Sequence, residues 1–182
     1  MTDPALQSGE IRLRAIEPSD VDFIHRMEND PEAWKAGDTL VPYSRFQVEQ
    51  YVLNTRHDLY TERQLRLMIE RVPHGKEKEI LGAIDLYDFD PHNRRAGIGI
   101  LIRPDARQRG YAFTALDILI RYCFDVLRFH QLHCSIAAGN TASIRLFKKA
   151  GFVKCGVRAD WLLSEGRWTD EWMFQLIRKE NP

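Results

Sequence analysis

Net charge is missing from this chain: 26 Lys and Arg balance 26 Asp and Glu over 182 residues. A general attraction to nucleic acid or to an anionic membrane surface is therefore excluded as the basis of its function, and no basic helix or aromatic RNA platform argues otherwise. Cysteine is scarce, and Cys123, Cys134 and Cys155 show no CxxC spacing. That pattern fits a reduced, cytoplasmic protein rather than a disulfide scaffold, and no metal is expected. No apolar run reaches 18 residues, so no membrane span is expected. The N-terminal MTDPALQSGEIRLR has neither a basic start nor an apolar core, which argues against export. Internal repeats and composition-biased linkers are absent as well.

What is present is 44% hydrophobic and 29% charged residues, a balance that buries a core and fits one domain over residues 1–182. The charges are unevenly spread. Positions 1–62 hold 12 acidic and 6 basic side chains, and positions 63–182 hold 14 and 20. Such polarity suits a cationic partner at one end and an anionic one at the other, or is an asymmetry that folding mixes together.

Periodicity orders the elements. Ile11 to Arg14 alternates as a strand, and Pro18-Ser19-Asp20 opens a helix carrying Val21, Ile24 and Met27 on one face. Ser44 and Gln47 form a capping box for a second helix with Val48, Tyr51, Val52 and Thr55. Leu65, Leu67 and Ile69, then Ile80, Ala83, Ile84 and Leu86, predict a β-hairpin about the turn at His74-Gly75-Lys76. Ala96 to Ile102 alternates until Pro104 ends the strand. After Gly110 a helix runs from Ala112 to Leu127, Leu132 to Ala138 reads as a strand, and Asn140 to Ala150 as a short helix stopped by Gly151. Two more strands cover about 152–163 and 168–178.

The turn between strand and long helix carries the clearest chemistry. A helix N-terminus presents unpaired N–H groups and about half a positive charge, which suits phosphate. Gly110 and Ala112 allow close approach, and Arg107 and Arg109 add cationic donors. A solvated basic turn capped by glycine is the competing reading.

The run RxxGxA at Arg107, Gly110 and Ala112 resembles the acetyl-CoA pyrophosphate loop of GNAT-type N-acetyltransferases. Asn140-Thr-Ala-Ser143, followed through Phe147 by Lys149-Ala-Gly151-Phe152, is similar to that family's later helix. The resemblance runs from about Ile11 to Ile177, and is nearest to the branch of bacterial spermidine and ribosomal-protein acetyltransferases. It implies an α/β (α+β) fold, with a mostly antiparallel sheet of about seven strands and about four helices, split to admit acetyl-CoA. It also implies that Leu101, Ile102 and Arg103 pair with the pantetheine arm. Gln108, Arg109, Gly110, Tyr111 and Ala112 would hold the pyrophosphate with Arg107, and Asn140 would fix the arm beside Ser143 and Phe147. Relatives are often dimers and some are larger, so the resemblance also implies a homodimer or larger homo-oligomer.

In this family an amine attacks the thioester directly. An alkyl ammonium has a pKa of about 10 and a thiol about 8.5, so deprotonating the amine is the harder requirement. Two positions depart from the family pattern. Phe147 stands where many relatives carry a tyrosine acid, and Gly97 where many carry a glutamate. Ser143 or water could replace the acid, although Ser143 also reads as a helix cap. Asp85, mid-strand between Ile84 and Leu86, could bind or help deprotonate the ammonium, or it faces solvent. Asp88 and Asp90 read as turn residues before Pro91. Glu28, Asp30, Glu32, Asp38 and Glu49 with Trp34 and Tyr43 suit a flexible cation, or serve solubility. Thr39-Leu40-Val41, however, replaces the acidic pair of the spermidine branch. Trp161, Trp168 and Trp172 read as core and hairpin packing. The expected function is acetyl transfer to a primary amine, either a polyamine-like small molecule or a peptide amino group; the alternative is a catalytically impaired acyl-CoA sensor.

Overall fold

The computed structural model describes residues 4–31, 41–55, 58–75, 77–164 and 166–179. Glu32, Trp34, Asp38, Thr39, Leu40 and Lys76, invoked above, lie outside the described residues.

Among the described residues, eight strands form one sheet in the order β1-β2-β3-β4-β5-β6-β8-β7. They are β1 (Gln7–Ser8), β2 (Ile11–Arg14), β3 (Leu65–Arg71), β4 (Glu79–Asp90), β5 (Arg95–Ile102), β6 (Gln131–Ala137), β7 (Val153–Ser164) and β8 (Arg167–Ile177). Only β5 and β6 are parallel. The helices are α1 (Val21–Glu28), α2 (Arg45–Asn54), α3 (Leu59–Glu62), α4 (Tyr111–Arg121) and α5 (Thr141–Lys149). The split, mostly antiparallel fold is as expected, with the two-residue β1 and one-turn α3 added. Neither is long enough to leave a periodic signal.

The sheet is buried on both faces. Leu13, Ile84, Leu86 and Ile98 form one cluster with Leu116 and Leu119 of α4 and with Ile144 and Phe147 of α5. On the opposite face Met68 and Ala83 pack with Ile24 and Met27 of α1 and Val48 and Val52 of α2. The predicted capping box at α2 is present in both arms: the Ser44 hydroxyl accepts from the Gln47 N–H, and Gln47 Oε1 accepts from the Ser44 N–H. The long helix ends earlier than its periodicity suggested. After Arg121 it widens into a π turn over Tyr122–Val126, with the Leu127 N–H reaching the Tyr122 carbonyl at 3.1 Å.

Trp161 and Trp168 differ from expectation: both are exposed, on the β7–β8 hairpin, and only Trp172 packs against the core. No helix among the described residues is long and apolar enough to cross a membrane.

Candidate active site

The ladder between β5 and β6 covers only Arg95↔Gln131, Ala96↔Leu132 and Gly97↔His133. Beyond it β5 continues to Ile102 and β6 to Ala137, held only by β4 and β8 on their outer sides. The middle of the sheet therefore opens as a wedge, with its apex at Gly97 and His133.

Strand geometry decides which backbone groups line the wedge, because alternate residues address opposite neighbours. The Arg103 N–H donates to the Leu81 carbonyl at 2.9 Å, and its carbonyl accepts from the Ala106 N–H at 3.0 Å. Arg103 and, by alternation, Leu101 are therefore committed inside the protein. Ile100 and Ile102 face the wedge, on the same alternation as Arg94, whose carbonyl accepts from the His130 N–H across the ladder. Arg107 Nε donates to the Ile102 carbonyl at 2.9 Å. Of the contiguous trio expected to meet the arm, Ile102 presents its N–H to the wedge, as Ile100 does by alternation, whereas the backbone groups of Leu101 and Arg103 are turned away from it.

At the wide end β5 meets the turn before α4. Gln108 and Gly110 both take positive φ, 61° and 84°. Gly110 is the N-cap of α4 without any side-chain cap. Among the described residues, the N–H groups of Gln108, Arg109, Gly110, Tyr111 and Ala112 have no hydrogen-bond partner; the helix's first bond is Thr114 N–H to the Gly110 carbonyl. A cup of donors at a positive helix end results, and a Cβ at Gly110 would meet nothing within 4 Å. Next to it, between this turn and α1, lies a cavity of about 410 Å³ where Arg26, Arg103 and Arg107 outnumber Asp30 and Asp105. This end is cationic.

The face of the wedge toward α1 and α2 has the opposite character. Asp85, opposite Gly99, accepts from Arg66 Nε at 2.7 Å and Arg66 Nη2 at 3.1 Å. A further Arg66 nitrogen pairs with Glu28 of α1, and the guanidinium lies 5.7 Å from the centre of the Tyr51 ring. Burial works against the Arg66 charge, but the attraction of Asp85 and Glu28 exceeds it and the pKa is raised. Burial likewise raises the Tyr51 phenol, with Arg66 opposing. Two carboxylates around one guanidinium leave this corner anionic, and it is built from α1, α2, β3 and β4.

Tyr87 occupies the place that a side chain at position 97 would take. A Cβ on Gly97 would lie 2.2 Å from the Tyr87 ring. Burial pushes the Tyr87 phenol up to about 12, followed in size by the influence of Cys134, while a hydrogen bond from the Ser135 N–H pulls it down. Its ring meets His133 edge to face, with centroids 6.0 Å apart. Burial lowers the His133 pKa.

The remaining predicted residues sit on α5. Asn140 Oδ1 caps the helix by accepting from the Ser143 N–H at 3.1 Å. Asn140, not the Ser143 hydroxyl, is thus the cap. Phe147 is 3% exposed and packs edge to face on Phe152, so it belongs to the core in this structure. Asp88 sits at a bulge with φ 49°, and Asp90 accepts from both the backbone and side chain of Asn93, as suits a turn. Sequence reading missed Arg66, Tyr87, Ile100 and His133. The only available signal was polar residues alternating with apolar ones in strands.

A family model described as an acetyltransferase (GNAT) domain matches residues 10–153. The chain belongs to the GNAT acetyltransferase family. A spermidine N(1)-acetyltransferase of Vibrio cholerae is 25% identical over 166 residues, covering 90% of each chain. An uncharacterized N-acetyltransferase, p20, of Bacillus licheniformis is 27% identical over 96% of this chain and 97% of its own. The crystal structure of the Vibrio cholerae spermidine N-acetyltransferase in complex with CoA and spermine superposes with a TM-score of 0.83, covering 93% of this chain and 96% of that one at 22% identity. This GNAT protein is therefore an acetyl-CoA-dependent N-acetyltransferase. No group of three or more His, Cys, Asp or Glu among its described residues could hold a metal ion.

Proposed function

We propose that this acetyltransferase acetylates a primary amine of a small, polyamine-like cation. The observation that carries this reading is the opposed polarity of the wedge: a cup of N–H donors and arginines at one end, and Glu28, Asp85 and Tyr51 at the other. The phosphates of acetyl-CoA suit the N–H groups of Gln108 to Ala112. The pantetheine amides suit the free strand edge at Ile100 and Ile102, with Asn140 bordering the arm. An ammonium suits the carboxylate and aromatic corner. The spermidine acetyltransferases among the relatives support the same substrate class, at 25–26% identity.

The amine nitrogen attacks the thioester carbonyl carbon, the C–N bond forms, and the C–S bond breaks with its electron pair leaving on sulfur. The amine surrenders two protons, one before attack and one that ends on the thiol. Asp85, held by Arg66, binds the ammonium and orients it. A ribosomal acceptor has weaker support: the putative ribosomal N-acetyltransferase of Bacillus subtilis matches over 101 residues, 56% of this chain. A structural relative is described as dodecameric. That description supports self-association here too, through the exposed Trp161, Leu163 and Trp168 of the β7–β8 hairpin.

The test is release of CoA thiol from acetyl-CoA at pH 8, with and without spermidine. Release that saturates with spermidine is expected. Release only with a peptide amine would move the acceptor to the peptide class, and acetyl-CoA binding without release to either would count against both acceptor classes.

A further inference from the structure

The apex of the wedge holds a histidine that the sequence pattern did not nominate. We propose that His133 takes the proton from the acceptor ammonium, and that Tyr87 positions its ring. This rests on the acetyl-transfer reading above and adds the group that activates the amine.

Placement is the first argument. His133 is the last residue of β6 to pair with β5, so it stands at the apex of the wedge. Leu132, Cys134 and Ile136 point into the core beneath α4 and α5. Strand alternation therefore sends His133 to the other face, shared by Asp85 and Tyr87 through their register with Gly99 and Gly97. Because Gly97 has no Cβ, the Tyr87 ring lies flat across that position and presses edge to face on the imidazole, with the planes at 88°. Asp85, Tyr87 and His133 thus share one face of the sheet across β4, β5 and β6.

Competition among the available bases is the second argument. Both Asp85 oxygens already accept from Arg66, so the guanidinium occupies them. An ordinary carboxylate is in any case a weaker base than imidazole by about two pKa units. Tyr87 stays protonated throughout the neutral range. The charged and titratable groups facing His133 are Tyr87 and Asp88 of β4, Arg95 of β5 and Arg158 of β7, with Gln175 of β8 opposite in register. Burial lowers the imidazole pKa, Asp88 opposes it, and Arg95 and Arg158 add to the lowering.

The step balances. The ammonium N–H proton passes to an imidazole nitrogen and then to solvent, and the freed lone pair attacks the thioester. The second amine proton leaves as the C–S bond breaks and ends on the departing thiolate. No oxidant, metal or further reactant is required.

The experiment compares wild type with His133→Gln in spermidine acetylation from pH 5 to 9, alongside calorimetric acetyl-CoA binding. A base of this kind contributes about 10²–10⁴-fold. The expected result is a fall in kcat of about 100-fold or more, loss of the acidic limb, and unchanged acetyl-CoA affinity. Retention of the rate and the limb in His133→Gln, with wild type active, overturns the His133 assignment alone. A wild type that binds acetyl-CoA yet acetylates neither spermidine nor a peptide amine overturns both readings. Independently of any variant, the imidazole pKa of His133 measured by NMR in the wild-type protein must coincide with the acidic limb of kcat/KM for wild type. A mismatch beyond about one unit overturns the assignment.

Discussion

Gly97 and Gly110 lack side chains for different physical reasons, and the difference can be measured. At position 97 the space is already filled: any Cβ collides with the Tyr87 ring at 2.2 Å. Gly97→Ala is expected to destabilise the fold by about 1–3 kcal/mol, read as a lower urea midpoint. Combining it with Tyr87→Ala should return part of the loss. At position 110 the space is open but φ is 84°, so the cost is conformational. Gly110→Ala should lose about 1 kcal/mol of stability, whereas Gly110→Glu adds a negative charge at the N–H cup and should weaken acetyl-CoA binding at least tenfold in a calorimetric titration. Unchanged affinity in the glutamate variant would sink the phosphate assignment. Asp85→Asn should lower turnover with spermidine while leaving acetyl-CoA affinity nearly intact. The glycine at 110 could be read from the chain because Arg107, Gly110 and Ala112 are local. Tyr87 over Gly97 could not, since nine residues, with a bulge at Asp88 among them, separate the two.

Secondary-structure boundaries carry a second set of expectations. Among the described residues Asn140 is the only side-chain cap of α5, so Asn140→Ala should cost about 1 kcal/mol of stability. Asn140→Asp preserves the acceptor and should keep most of it. The turn from β4 into β5 is pH-sensitive. Hydrogen bonds from the Asn93 side chain and backbone hold the Asp90 carboxyl at about 2, below its ordinary 3.8. Since the folded value is depressed, its stabilising effect is complete above pH 4 and fades as pH falls toward 2. Asn93→Ala should therefore flatten the acid-unfolding curve in that window, and an unchanged slope would count against it. Helices with caps and one apolar stripe were legible from Ser44, Gln47 and the Ala112–Leu127 pattern. The π turn at Tyr122–Val126 was not, because an apolar rhythm does not distinguish i→i+4 from i→i+5 bonding over a single turn.

Across the molecule, folding brings the acidic first third and the basic remainder together at the wedge: Glu28 joins Asp85 and Arg66 at the amine corner, and Arg26 and Asp30 join Arg103 and Arg107 at the phosphate end. Raising salt from 50 to 500 mM should accordingly raise KM for spermidine and for acetyl-CoA together, each being screened by the same ions. A change in neither would contradict the polarity argument. Self-association through the hairpin predicts a dimer or larger species in sedimentation, reduced in size by Trp161→Ser with Trp168→Ser. The charge asymmetry was visible in the composition; the opposed polarity of the wedge was not, since it depends on β5 and β6 being neighbours, which only the tertiary pairing determines. That pairing stops after three residue pairs, and the consequence extends to colloidal behaviour. Most sheets carry their unsatisfied edges at the rim, where they can recruit another chain into aggregates. Here an additional edge lies inside, flanked by packed helices on both faces, so a neighbouring sheet cannot dock on it while a single slender amide-bearing chain can. Filling it should slow hydrogen exchange at Ile100 and Ile102 without changing the protein's propensity to aggregate.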